Sequence, residues 1–496
     1  MIHDRVGGVV IGGEIGVSAF AASRGPRPPS GGGRVSRTGL SALDAAFLAV
    51  ESSRAPMHVG WAAVFAPRAN GSRPTFEAVR SHIAGRLGRA PRYRQKLVDV
   101  PFGVGDPVWI DDPQFDVGCH VRRASGEDFG ALIDKVMSMP LVPQRPLWEL
   151  WIVDDLDDER IGVVGKAHHC LVDGLAAVEL MSLLLDLAPG GEGETGSEEP
   201  LRWSPAPVPS GLELVGDALA HHCSQMLSLA GRPIDLARHP ERLLGLPARA
   251  WSTARAIAHT ALPVAPASRL NGEMSAMRHL ARHERPLEDL RVIKRRFATT
   301  VNDVLLSACA SALRGLMEER DEPPIEVKAM VPVAVEDQDE RWGNRIAFLF
   351  LGLPCGEPDP VWRLRDIHVA MRDRKREGEP RGADAVLSAV ALAPRAVRRL
   401  ASRTLASPLI SNLTISNIPG PRMPLYLMGC EVEHAYPVVP LSEGHGISIG
   451  MTTVADRACF GVYAQAGLAA DADRLAHGID EAINELLALC SPPSTP

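Results

Sequence analysis

Within the stretch KAHHCLVDGL, Lys166 to Leu175, two imidazoles stand side by side at His168 and His169, and Asp173 and Gly174 follow closely. An imidazole titrates near neutrality, so it can take a proton from a hydroxyl and return it to a leaving group. Asp173 lies past a turn, where a carboxylate fixes a loop or pairs with a buried arginine rather than acting as the base. Gly174 lets the backbone turn sharply into a following helix. The first N–H groups of that helix would lie near the histidines. The same residue types could also hold a metal ion. Adjacent strand residues point to opposite faces, however, so joint ligation by His168 and His169 is awkward and no metal is expected. A second pair, His221–His222, has no Asp-Gly after it and reads as structural.

The elements that must carry these groups are legible around them. Trp148 to Val153 is strand-like, DLDDE is a polar turn, and Ile161 to His169 is a second strand, which together make a hairpin. Along the second strand His169 shares a face with Ile161, Val163 and Ala167. His168 shares the other with Gly162, Val164 and Lys166. His169 therefore points to the more apolar side, where an enclosed site would lie. Residues 74–90 read as a helix, with Phe76, Val79, Ile83 and Leu87 near helical spacing. A helix opens at Gly174 and runs to about Leu187, followed by the acidic, Gly-rich linker APGGEGETGSEEP.

The chain has 496 residues, a net charge of −7 and 45% apolar residues. That length exceeds one hydrophobic core and implies two or three domains. The acidic balance and 5% aromatic content argue against a nucleic-acid partner. Eight scattered cysteines without CxxC spacing exclude the usual zinc ribbons and fit a reducing, cytoplasmic compartment. No apolar run is long enough to span a bilayer. Near the start, GGVVIGGEIGVSAFAAS has some features of a signal peptide, but Glu14 interrupts it. Residues 1–37 read as a disordered extension. Residues 38–205 form a first lobe carrying the histidines and 206–265 a helical connector. Residues 266–490 form a second lobe and 491–496 a tail. Both lobes mix strands and helices, so the class is α/β or α+β.

HHCLVDG fits the pattern HHxxxDG and resembles the catalytic motif of the CoA-dependent acyltransferase superfamily. Other segments occur in a matching order: LDAAFLAVESSRAPMHVG, PLWEL, TVNDVLLSACASALR, VPVAV with WGNR, DPVWRLRDIH and SNIPGPRMPLYLMG. Together these look like the bacterial wax ester synthase/diacylglycerol acyltransferase family, from about Leu40 to Leu489. The resemblance implies two chloramphenicol-acetyltransferase-like lobes joined by a helical connector, with an active-site tunnel between them. It implies His169 as general base, with His168, Asp173, Gly174 and Asn302 completing the catalytic constellation. Pro146, Leu147, Trp148 and Asp303 are implied at the substrate. One departure is visible: the family segment GLNITVxSY reads GISIGMTTV here, with Ser448 in place of the asparagine and the tyrosine missing.

The reaction so implied moves a long-chain acyl group from acyl-CoA, a substrate rather than a cofactor, to diacylglycerol or a fatty alcohol. Two other readings stand beside it: acyl transfer to a polyketide- or peptide-linked substrate, and a catalytically weak lipid-binding member. Lipid substrates imply peripheral contact with a membrane or lipid body. RLLGLPARAWSTARAIAH mixes Leu243, Leu244, Leu246, Trp251 and Ile257 with Arg242, Arg249 and Arg255, the composition of an interfacial helix. Packing against the lobes would use the same residues. The basic segment RLRDIHVAMRDRKRE could meet CoA phosphates, although a solvated helix face explains it as well.

Overall fold

The computed structural model describes residues 39–126, 128–172, 183–189, 203–238, 257–258, 264–335, 345–377, 393, 395–420 and 423–490. Asp173, Gly174, the expected 1–37 extension and residues 242–256 of the connector lie outside the described residues.

The first half opens with helix α1 (Ala42–Val50) and strand β1 (His58–Phe65). Ser41 and Asp44 cap α1 reciprocally, each side chain bonding the other's backbone N–H. Helix α2 (Phe76–Arg86) follows, capped by Thr75, and buries Phe76, Val79 and Ile83 as their spacing predicts. Strands β2 (Gln95–Val98) and β3 (Val108–Asp111) form a separate two-stranded sheet. Strand β4 (Val121–Ala124), helix α3 (Phe129–Ser138) and the hairpin of β5 (Trp148–Val153) with β6 (Ile161–His168) complete this half. Helix α4 (Gly211–Arg238) then runs through the start of the connector.

The second half contains strand β7 (Arg278–Pro286) and helices α5 (Leu287–Phe297) and α6 (Val301–Glu319). Strands β8 (Val327–Val335) and β9 (Arg345–Leu353) pair antiparallel. Helices α7 (Pro360–Arg376) and α8 (Arg395–Leu405) lead to strands β10 (Leu413–Ile418), β11 (Tyr426–Leu427) and β12 (Cys430–Val438). Strands β13 (Ile447–Val454) and β14 (Arg457–Gln465) and helix α9 (Ala469–Ala488) end the order.

Two six-stranded sheets result, in the orders β11-β12-β1-β6-β5-β4 and β7-β14-β13-β10-β8-β9. The first order revises the sequence-based boundary at residue 266. β11 and β12 come from the second half, yet β12 pairs antiparallel with β1, from Gly60 opposite Val438 to Phe65 opposite Val432. Local residue pattern marks a strand but carries no signal for a partner hundreds of residues away. The sequential division therefore could not see the exchange.

Side-chain alternation separates the second sheet's two faces. Val327, Ala329, Val331, Leu349, Leu351, Leu413, Ile415, Ile447 and Ile449 are buried in one core with α5, α6, α7 and α9. Met330, Pro332, Phe348, Phe350, Thr414 and Ser416 face the other way, into a large cavity. On the first sheet, Ala62, Val64 and Val164 pack against α3 through Leu132, Ile133 and Val136. Val59, Trp61, Ala63 and Phe65 turn toward the same cavity. The cavity thus lies between the sheets.

The lobes are fastened where β7 meets α3. Asp134 accepts from Leu280 N–H at 2.9 Å and bonds His279 Nδ1 at 2.8 Å, while His279 Nε2 reaches Asp473 at 3.1 Å. The bond to Asp134 is the main cause that raises His279 from its ordinary range to about 9. A raised histidine stabilises the fold fully below its unfolded pKa and loses that contribution as pH climbs through the folded value. Melting temperature should therefore fall between about pH 7 and 10 with a component that His279→Asn removes. Identical pH slopes for the two proteins in a thermal melt would show that this clamp does not hold the lobes.

Candidate active site

His168 ends β6 and His169 is the next residue, so the pleat sends them apart. His169 lies on the cavity wall with Gly165 and Ala167 of the same face, in accord with the parity expected from sequence. Its backbone N–H donates to Met57 O at 3.0 Å. Its ring stacks on Phe47 of α1, with centroids 3.6 Å apart and planes 19° from parallel. Nδ1 is buried and has no hydrogen-bond partner among the described residues. Burial lowers His169 to about 4, because the apolar surroundings penalise the imidazolium. At neutral pH the ring is an uncharged proton acceptor.

His168 is built differently. It is buried, and its Nδ1 accepts from Cys170 N–H at 3.1 Å with the Cys170 thiol at 2.9 Å. These bonds place the ring proton on Nε2, which lies 3.8 Å from Glu51 Oε2. Burial lowers His168 to about 3, so this approach is a polar contact between a neutral ring and a carboxyl group. The residue's backbone N–H donates to Leu147 O at 3.0 Å. His168 is thus a fixed piece of framework behind His169. Lys166, on the same face as His168, is buried and donates to Val136 O and Met139 O at the end of α3, at 2.9 and 2.8 Å.

The structure moves the expected substrate contacts away from the cavity wall. Leu147 and Trp148 are buried in the core of the first lobe. Trp148 Nε1 donates to Tyr93 O at 2.7 Å, and its indole stacks on His120 with centroids 4.8 Å apart. Trp148 also stands opposite Ala167 in the β5–β6 register. These residues hold the strand that carries the histidines. Pro146 borders a separate cavity of about 280 Å³ with His120, Arg122, Arg145 and Glu149. Asp303 closes the N-terminus of α6: it accepts from Thr300 N–H at 2.9 Å and bonds His368 Nδ1 at 2.8 Å. Asn302 is buried in the same turn. Neither Asn302 nor Asp303 lines the large cavity, so the structure does not bring them to His169. Residue type alone could not separate a side chain that touches substrate from one that holds the wall.

Several contributors were not singled out in the sequence. Phe47 supplies the stacking surface for His169. Met57 offers its carbonyl from a left-handed conformation, φ 47°, which is uncommon outside glycine. The Arg278 guanidinium grips Arg54 O and steadies that loop. His445 and Ser411 also line the cavity, and His445 Nε2 donates to Ser411 O at 2.9 Å. A histidine before ISIG carries no local mark of this placement.

The cavity has a volume of about 1000 Å³ and walls from both sheets, α1 and α8. Its surface is overwhelmingly aliphatic and aromatic, suited to hydrocarbon chains. No group of three or more His, Cys, Asp or Glu residues placed to hold a metal ion occurs among the described residues.

Two facing sheets with a histidine from the end of a hairpin strand between them define the class of two-lobed, CoA-dependent-acyltransferase-like proteins. The fold is shared with a wax ester synthase/diacylglycerol acyltransferase from Marinobacter aquaeolei VT8, at a TM-score of 0.63 and 23% identity, covering 91% of this chain and 99% of that one. It is shared too with a starter condensation domain of rhizomide synthetase solved with C8-CoA and Leu-SNAC (TM-score 0.54, 15% identity, 93% and 96% covered). The wax ester synthase/diacylglycerol acyltransferase catalytic domain matches residues 40–305 and the family's C-terminal domain residues 342–487. A probable diacylglycerol O-acyltransferase of Mycobacterium tuberculosis is 31% identical over 464 residues, 91% of this chain and 96% of that one. A second, putative diacylglycerol O-acyltransferase of that organism is 29% identical over 484 residues, 94% of each chain. The chain belongs to the wax ester synthase/diacylglycerol acyltransferase family.

Gly165 tests how the wall is made. A Cβ there would lie 2.5 Å from the Trp61 indole, so the ring would have to move. Gly165→Ala should push Trp61 into the cavity and lower kcat/KM for long acyl chains by about tenfold, while sparing short ones. Equal kcat/KM for palmitoyl- and butyryl-CoA relative to the unsubstituted protein would show that Trp61 does not border the acyl path.

Proposed function

We propose that this chain transfers a long-chain acyl group from acyl-CoA to diacylglycerol, giving triacylglycerol, or to a fatty alcohol, giving a wax ester, with His169 as general base. The observation that carries the assignment is one neutral imidazole, stacked and backbone-anchored, on the wall of a large apolar cavity.

His169 Nε2 removes the acceptor hydroxyl proton as the oxygen attacks the thioester carbonyl. The tetrahedral intermediate collapses with cleavage of the C–S bond. The imidazolium then returns its proton to the departing CoA thiolate. An environment that disfavours the imidazolium makes this return fast, so the ring works as a relay. No acyl-enzyme is required, because one enclosed space can hold both substrates in contact. A backbone N–H would stabilise the oxyanion. The reaction uses no metal ion and no bound cofactor.

Both substrates are water-insoluble at their acyl ends, while no helix among the described residues is long and apolar enough to cross a membrane. Because lipid substrates collect at such surfaces, the proposal includes peripheral contact with a membrane or lipid body on the cytoplasmic side.

His169→Ala should lower turnover by ~10²–10⁴, the usual loss for a general base. His168→Ala should act mainly through stability. Because His169 is lowered to about 4, the acid limb of kcat/KM should fall well below the 6.5 of an ordinary histidine. CoA release followed with a thiol reagent reads both effects. An acid limb at or above 6.5, or a larger loss in a folded His168 variant, would move the base elsewhere.

A further inference from the structure

Two residues of the cavity wall are also largely exposed: Val397 at 53% and Leu400 at 69%, both on α8. A side chain that lines a cavity and still faces solvent marks the mouth. Ile257, from the connector, has the same double character. The sequence of α8, RAVRRLASRTL, puts Val397, Leu400, Ala401 and Leu405 on one face and its arginines on the other.

The apolar surface continues beyond the mouth. Arg395 Nη1 donates to Gly105 O at 3.2 Å, and Arg398 Nη2 pairs with Asp106 at 2.6 Å, so α8 is bolted to the loop before β3. That loop presents Phe102, 95% exposed, from a left-handed conformation with φ 61°. An aromatic residue rarely adopts this backbone region. Here it lifts the ring off the protein. The loop also meets α4: Pro101 lies against Gly211 and Gly105 against Ala218. Leu212, in the first turn of α4, is 86% exposed. Phe102, Leu212, Val397 and Leu400 therefore sit on three elements held to one another, one of which, α8, borders the opening. Among the described residues no carboxylate pairs with Arg399, whereas Asp106 answers Arg398 and Arg403 Nε donates to Ala49 O at 3.1 Å.

We infer that this surface is where the protein seats on a phospholipid layer, with Phe102 and Leu212 inserted among the acyl chains and Arg399 at the phosphates. This rests on the lipid acyltransferase reading, since it is the apolar cavity behind the mouth that makes a lipid layer its occupant. Lipids then pass from the layer into the cavity along Val397 and Leu400 without crossing water. Apolar insertion dominates here, so binding persists on neutral vesicles and strengthens with anionic lipid.

The test is flotation of the full chain with phosphatidylcholine vesicles, with and without phosphatidylglycerol. Phe102→Ser with Leu212→Ser should cut the bound fraction at least about tenfold on both. Neither residue lines the cavity, so turnover of detergent-dispersed palmitoyl-CoA and diacylglycerol should stay within about twofold. Thermal melts check that the variant is folded, and Phe102→Ser alone serves if the pair is not. Unchanged flotation with turnover intact overturns this inference alone. So does flotation abolished by changing Arg242, Arg249 and Arg255 to glutamate but not by the Phe102 and Leu212 changes. Absence of turnover in the unsubstituted protein overturns the enzymatic reading and this inference with it.

Discussion

The pairing of β12 with β1 is the contact on which the architecture turns. β1 lies between β12 and β6 in the first sheet, so the strand bearing the histidines is separated from a strand of the second half by β1 alone. That ladder ties residues 430–438 to residues 58–65, while β13 and β14, only a few residues later, belong to the other sheet. The two sheets are thereby held face to face. Without the exchange, the apolar faces around Trp61 and Phe350 would be open surfaces. With it, they become the two walls of one cavity.

Enclosure then sets the chemistry. The same apolar walls that would hold acyl chains make the imidazolium unfavourable, and so keep His169 neutral. The framework is split between the faces: the Lys166 and His168 side chains lie on the far one, and Trp148 stands on the near one opposite Ala167. Lys166 bonds the end of α3, His168 is locked by Cys170, and Leu147 and Trp148 fix the strand from its neighbour. A short run of adjacent residues thus alternates between reacting surface and scaffold, because the strand's pleat alternates.

That alternation is why the central part of the site was legible in the sequence. Face assignment along Ile161 to His169 needs only a period of two, and the structure puts Ala167 and His169 on the cavity wall while the Lys166 ammonium bonds the end of α3 and His168 is held by Cys170. The family pattern also announced two mixed lobes. What could not be read depends on distance or direction. Nothing local says that Cys430 to Val438 joins the first sheet. Nothing in the letters PLW says that Trp148 turns its N–H to Tyr93 rather than to a ligand. Phe47 and His445 look like ordinary helix and loop residues until tertiary packing brings them to the cavity. Asn302 and Asp303 show the converse: in the structure they lie at a helix start, with Asp303 engaged in capping and with His368.

The central claim is that His169 Nε2 is the general base that takes the acceptor hydroxyl proton beside the acyl carbonyl. Affinity labelling with 2-bromopalmitoyl-CoA, followed by peptide mass spectrometry, addresses it directly. The reactive carbon of that analogue sits beside the thioester carbonyl, so the account predicts alkylation at His169, suppressed by palmitoyl-CoA and fading only at pH values near 4. Labelling of His445 in place of His169, or labelling of His169 that excess palmitoyl-CoA does not protect against, would contradict it.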